Sequence, residues 1–351
     1  MEIRPATEKD NAALQVLQVK CPQGTTLVVS TVNTPDFFAR VKAYKDYQVY
    51  VACENERIVG SAACGIRDAV INGQVMKIGH QFQAFVHPEY RGRRIAGELT
   101  QIREQYLRQR GAVLAYSLIM EGNVPSMRHV ERQYYRRHRT LVMPGLSVSK
   151  EMEYKCFGRI RPIIVADLDA VADLLNKTWS DYELYEPMTG KELAQFINRT
   201  PAYDFHNVFV LEENDEIVAC LGFWDWSQVT RLVVEKLNVK MQMAGYVSGI
   251  AGPLLRMPKA PRIGEVLKQM MLTPIGFQNP RHLTVLLQQV NNLAFQRGVG
   301  YIYCICESVH PLLKSLKGFS RIDTTIHLYV KPLREDISLA DKPVFINGID
   351  L

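Results

Sequence analysis

The chain has 351 residues, 47% hydrophobic and 22% charged, with a formal net charge of +6. That composition excludes a disordered or fibrous protein, and the length predicts about two domains, each able to bury a core. No apolar run reaches the ~18 residues of a membrane span; the best, 244–255, is broken by glycines and a proline, and the first ten residues lack the apolar stretch of a secretion signal.

Charge is unevenly placed. Residues 1–150 carry 21 basic and 13 acidic side chains, and the remainder 21 and 23. Residues 91–139 alone hold 11 Arg against 4 Glu and no Lys. An arginine excess suits a phosphorylated ligand, because the guanidinium fork matches phosphate oxygens. A solvated helix face or a nucleic-acid surface are the alternatives. Seven cysteines without an export signal read as reduced thiols in a cytoplasm. Cys304 and Cys306 share one face of an expected strand and read as small core residues rather than metal ligands.

In chain order, Ile3-Arg4-Pro5 opens a strand followed by a helical pattern with Leu14 and Leu17. A strand–acidic turn–strand follows in VYVACENERIVGSA. Gln81–Val86 reads as a strand that Pro88 ends, and Ile95, Leu99, Ile102 and Tyr106 then fall on one helical face up to Gly111, a C-cap. The same units recur later. Ile160-Arg161-Pro162 precedes a helix with Val171, Leu174 and Leu175; VFVLEENDEIVACL repeats the hairpin; Leu286 to Gly298 repeats Leu99 to Gly111. Each copy is expected to run strand, helix, helix, three strands, helix, strand, helix, strand. The second carries an insertion near 231–265, with Trp224 and Trp226 on one strand face just before it. The division expected is 1–150, 158–331, and a C-terminal tail, 332–351, whose apolar residues are expected to dock it back toward the first copy.

The segment QAFVHPEYRGRRIAGEL carries the chemistry. A strand, a turn with Gly92 and a basic helix start aim backbone N–H groups and Arg91, Arg93 and Arg94 at one point, which describes a pyrophosphate cradle. It is neither the G-x-x-x-x-G-K-[ST] loop nor the G-x-G-x-x-G fingerprint.

This segment resembles motif A of the GCN5-related N-acetyltransferase (GNAT) superfamily, Q/R-x-x-G-x-G/A, with Arg91 in the first position, Arg94 where the middle glycine stands, and Ala96 in the last. The resemblance implies an α/β (α+β mixed-sheet) fold of two tandem GNAT-like domains, each a mixed sheet flanked by helices. The first would be catalytic. The second, with Gln278, Pro280 and Leu283 at the matching place, would be a degenerate copy. It implies an acyltransferase that moves acetyl from acetyl-CoA to a primary amine of a small molecule or peptide, in a ternary complex and without a metal. The coenzyme would lie on Arg91, Gly92, Arg93, Arg94, Ile95 and Ala96, with its pantetheine arm beside Phe85 and Val86 where the strand splays, and against Asn123. His80 stands at the spacing of the family's base. Tyr134, one helical turn beyond the family's tyrosine position, is the candidate acid. The implied protein is cytoplasmic, a monomer or homodimer, and binds neither nucleic acid nor membrane. A non-catalytic acyl-CoA sensor and an acyltransferase for longer chains are the rival readings.

Overall fold

The computed structural model describes residues 1–24, 27–153, 158–238 and 261–351. The apolar run at 244–255 and the centre of the expected insertion lie outside the described residues. The first half comprises β1 (Glu2–Pro5), α1 (Asn11–Val19), β2 (Leu27–Asn33), β3 (Asp46–Glu54), β4 (Arg57–Ile71), β5 (Gln74–Val86), α2 (Ile95–Gln109), β6 (Leu114–Met120), α3 (Val124–Arg132) and β7 (Arg136–Ser147). The second comprises β8 (Arg159–Pro162), α4 (Leu168–Trp179), α5 (Gly190–Arg199), β9 (Val208–Glu213), β10 (Glu216–Asp225), β11 (Thr230–Leu237), β12 (Val266–Leu267), β13 (Gln269–Phe277), α6 (Pro280–Gln296), β14 (Tyr301–Tyr303), α7 (Leu312–Ser315) and β15 (Arg321–Pro332).

Twelve of the described strands form one sheet, in the order β1-β3-β4-β5-β6-β15-β7-β14-β13-β10-β9-β8. Only β5–β6 and β13–β14 are parallel. The expected pair of sheets is thus continuous, joined by an exchange. β15, which ends the second half, lies on β6 of the first, and β7, which ends the first half, lies on β14 of the second. Each half alone would leave β6 or β14 as an open edge, and the exchange covers both.

The repeat read from the sequence has a structural counterpart. Arg4 forks onto Asp10 with two 2.8 Å hydrogen bonds, and Arg161 onto Asp167 at 2.5 and 3.0 Å. One expectation fails. After α1 the first half has no second helix but β2 and a tight turn at Val41–Ala43, where the second half has α5. The β-branched run LVVSTV favours a strand, and β2 pairs with β11 of the insertion in a three-stranded sheet with β12.

The tail packs along its length. Ser338 and Ala340 hydrogen-bond Asn72 at the β4–β5 turn, and Asp341 pairs with Arg139. Val344 bridges Glu183, and Val344 N–H donates to Glu307 at 2.9 Å. Val344, Ile346 and Ile349 are buried, as is Asp350 at 2% exposure, so apolar burial docks the segment as the sequence expected. The largest hydrophobic cluster spans both halves, with Leu14, Phe37 and Phe82 beside Leu175, Phe196 and Trp224.

Candidate active site

β5 parts from β6 midway along its length. Their pairing runs from Ile78–Leu114 to His80–Tyr116 and stops. On the other side, Ser61 to Ala63 of β4 faces Phe85 to Phe82 of β5, so β5 carries an extra residue, a bulge at Gln83–Ala84. Gln83 accordingly has φ +49°. The bulge bends the outer half of β5 away from its parallel neighbour. Ser117 Oγ, donating to the Gln81 carbonyl at 3.0 Å, holds the fork. Around this bend Ser61 Oγ, Gln81 Nε2 and Gln83 Oε1 are buried without a hydrogen-bond partner. Buried orphans are costly and mark a place where a polar ligand fits.

β5 then enters α2 through residues 87–94. Gly92 has φ +82° and Arg94 φ +64°. The helix starts at Ile95 with Arg94 as its N-cap and no side chain capping it. The first N–H groups of α2 therefore have no side-chain cap, and they carry the partial positive charge of a helix start. Arg91, Gly92, Arg93 and Arg94 are exposed, Ala96 is half-buried and Ile95 is buried. Arg93 pairs with Glu54 at 3.4 Å and lies over the Tyr90 ring. Arg91 folds back, its Nε donating to the Val86 carbonyl at 3.3 Å. A non-glycine in the left-handed region costs about 1–2 kcal/mol, and Arg94 holds that strain where the family motif has glycine.

Behind the fork lies a buried polar cluster. His80, 1% exposed, stacks between Phe82 and Tyr116 at 4.8 and 4.7 Å. Tyr44 reaches it over β4 because Gly65 has no side chain; a Cβ there would meet the Tyr44 ring at 2.4 Å. The Tyr44 hydroxyl is 2.7 Å from His80 Nδ1 and 2.7 Å from Asp350 Oδ1. Asp350 Oδ2 accepts from Tyr116 at 2.9 Å and from Arg67 at 3.5 Å. Arg67 also donates to the Leu184 carbonyl at 2.7 Å, and Arg40 to the Asp350 carbonyl at 3.3 Å. Burial pushes the His80 imidazole down to about 3, against the opposing pull of Asp350. Burial likewise drives the Tyr44 and Tyr116 phenols well up, so both stay protonated.

The model of the acetyltransferase (GNAT) domain family matches residues 2–138. Residues 2–138 are a GNAT domain. No curated protein matches the sequence. Among solved structures, the whole chain is similar to Saccharomyces cerevisiae N-myristoyltransferase with bound myristoyl-CoA, at 12% identity and TM-score 0.64, covering 94% of this chain and 78% of that one. It is also similar to a GCN5-related N-acetyltransferase from Sphaerobacter thermophilus, at 15% identity and TM-score 0.56, covering 96% and 97%. A glucosamine N-acetyltransferase region of a fungal multi-domain GH3 β-N-acetylglucosaminidase aligns at 12% identity and TM-score 0.61, covering 94% of this chain and 38% of that one. At these identities the likeness is one of fold, and the chain has the architecture of GNAT-fold acyltransferases.

His80, Phe85 and Val86 lie in turn along β5, which runs on into the 91–96 turn. Phe85 is buried in the core, and the Val86 carbonyl is engaged by Arg91 and by Cys21 Sγ at 3.3 Å. Asn123 is the N-cap of α3, accepting from Ser126 N–H at 3.3 Å. Tyr134 does not meet His80: it follows α3 at φ +66°, 81% exposed. Burial also keeps the His80 ring neutral at pH 7. Sequence reasoning missed Tyr44, Arg67, Tyr116 and Asp350. Tyr44 and Asp350 are 306 positions apart, and nothing local marks either. Arg128 and Arg132 are exposed on α3, and Arg136 is exposed at the start of β7 rather than on the same helix. Cys304 and Cys306 are buried free thiols, and no metal-binding group is found among the described residues. No helix among the described residues is long and apolar enough to cross a membrane.

The second half opens in the same way but not onto space. β13 pairs with β14 from Gln269–Tyr301 to Met271–Tyr303 only, and an extra residue bulges β13 between Leu272 and Ile275. The tail lies in this opening. Thr273 Oγ1 donates to Asn347 Oδ1 at 2.8 Å, and a Cβ on Gly348 would meet the Leu272 carbonyl at 2.8 Å. Phe345, Ile346 and Gly348 line what remains, with Trp179 and Ile305. The turn into α6 is reduced to Gln278 and Asn279, and Asn279 caps the helix itself, accepting from Arg281 N–H at 2.9 Å.

Proposed function

We propose that the protein transfers an acetyl group from acetyl-CoA to a primary amine by direct attack in a ternary complex. Residues 1–150 would form the catalytic domain, 158–331 a degenerate copy, and the tail a part of the catalytic centre. The observation that carries this reading is the uncapped, left-handed entry to α2 beside the β5–β6 fork. It would serve as an anion cradle at the outer end of the strand that carries His80.

The residues fit the coenzyme. The N–H groups from Arg91 to Ala96 would hold its pyrophosphate, and the part of β5 beyond its pairing with β6, near Phe85 and Val86, its pantetheine arm. Asn123 would lie on the same side, since α3 packs on the start of α2 through His129 and Thr100 at 3.0 Å. The bound coenzyme supplies an activated thioester. A backbone N–H freed by the bulge would polarise its carbonyl, a contribution of about 2.7–4 kcal/mol for one such donor.

The amine attacks in its neutral form, and its nitrogen becomes acidic as the new C–N bond forms. His80, neutral and with a lone pair, takes that proton. Tyr134, exposed just after α3, would return a proton to the departing thiolate. A cytoplasmic location, a monomer or homodimer, and no nucleic-acid or membrane partner complete the reading.

The test is thiol release with acetyl-CoA, longer acyl-CoAs and an amine panel. Intersecting initial-velocity patterns with acetyl-CoA and an amine, lost in His80→Gln, are expected. Coenzyme binding without turnover on any amine would make the protein a sensor, and preference for a longer chain would change the donor.

A further inference from the structure

The buried cluster fixes where protons sit on His80, a point that rests on the base reading above only for its catalytic meaning. Two phenols and a guanidinium converge on the Asp350 side chain as donors, so both of its oxygens are acceptors. Tyr44 has a single hydroxyl proton and two neighbours at 2.7 Å, Asp350 Oδ1 and His80 Nδ1. If that proton went to Nδ1, the Tyr44 and Asp350 oxygens would face each other 2.7 Å apart with no hydrogen between them. The proton therefore belongs between Tyr44 and Asp350. The second contact then holds only if Nδ1 carries a hydrogen and donates it to the Tyr44 oxygen. A neutral imidazole has one N–H, so Nε2 is left with its lone pair.

We propose that Asp350, acting through Tyr44, locks His80 as the Nδ1–H tautomer, so that Nε2 is the proton-accepting nitrogen. Asp350 and Tyr44 are positioning residues, supplied from the far end of the chain and from the turn after β2. Other groups around the ring agree with a neutral imidazole. Arg40, Arg67 and Arg103 oppose a second positive charge, Asp350 alone favours one, and Tyr116 and Phe82 close the two faces. Gly65 on β4 leaves room for Tyr44 to bridge the two groups.

Tautomers are read directly from two-bond 1H–15N correlation spectra of protein labelled with 15N-histidine, with His80 assigned by its absence in His80→Gln. The expected result is a protonated Nδ1 and an unprotonated Nε2 from pH 6 to pH 8. A protonated Nε2 in the unmodified protein would overturn the proposal, whatever the activity. In Tyr44→Phe and Asp350→Asn the His80 signal should move toward the Nε2–H form. kcat should fall by on the order of 10²–10⁴-fold, the range of a general base, with KM for acetyl-CoA little changed. Asp350→Glu should restore part of both. Variants that lose rate while His80 keeps its Nδ1–H signal would show a structural effect and overturn the relay. An Nδ1–H signal with undiminished kcat in His80→Gln would support the lock and overturn the base reading instead.

Discussion

The two halves solve the same local problem in opposite ways. In each, a bulge bends a strand from its parallel neighbour and a helix begins just beyond. In the first half, the bulge at Gln83 opens onto residues 87–94, and α2 starts uncapped behind a left-handed Arg94. In the second, the opening holds Phe345 to Gly348, and Asn279 satisfies the start of α6 with its own side chain. A helix start whose N–H groups have no partner in the chain invites an anion; one that is capped does not. The difference lies less in the bulky Leu283 than in the missing turn and in the chain segment that fills the gap.

The comparison can be broken by exchanging the two solutions. Replacing residues 87–94 with Gln-Asn, as in the second half, should weaken coenzyme A binding more than about 100-fold, because a helix-start anion site is lost outright. Titration calorimetry checks this, with circular dichroism confirming the fold. In the second half, Ile346→Ala removes a buried side chain from the filled opening. It should cost about 2–5 kcal/mol in urea unfolding and leave coenzyme affinity unchanged.

Acid sharpens it further. His80, pushed down to about 3, and His310, pushed down to about 4 by burial against Trp179, are both held neutral in the fold. The unfolded chain binds protons there more readily, so this stability is complete above about pH 6.5 and falls as pH drops toward the folded values. At pH 5 the loss is up to about 2 kcal/mol per ring. Melting temperatures of His310→Phe and the unmodified protein at pH 7.5 and 5.0 should converge or cross. The smallest effects are at the two helix starts. Asn279→Ala should destabilise by about 1 kcal/mol through loss of a cap. Arg94→Gly should stabilise by about 1 kcal/mol through relief of the left-handed arginine, while weakening coenzyme A binding by removing a charge.

Much of this was legible in the sequence because it is local. The β5–α2 turn and the repeated Ile-Arg-Pro strands are each written within a few residues. Apolar periodicity placed the helices Ile95–Gln109 and Pro280–Gln296. What escaped depends on distance along the chain. Nothing in LYVKPL tells β15 to lie between β6 and β7, since an alternating strand fits any sheet edge of matching face. His80 looked like an ordinary near-neutral base because, Phe82 of its own strand apart, the rings that bury it, Tyr44 and Tyr116, come from a turn and a strand distant in sequence. Asp350 carried no signal, although the apolar residues around it did predict a docked tail. The strand that stands in place of a second helix after α1 is written in the β-branched run of β2, against the pattern of the repeat.

The central claim is that only one of two similar openings takes coenzyme A. Titration calorimetry of coenzyme A into the intact chain tests it most directly, repeated on the chain whose 87–94 turn is replaced. The account predicts one site per chain and none after the replacement. Two sites, or one that survives the replacement, would contradict it.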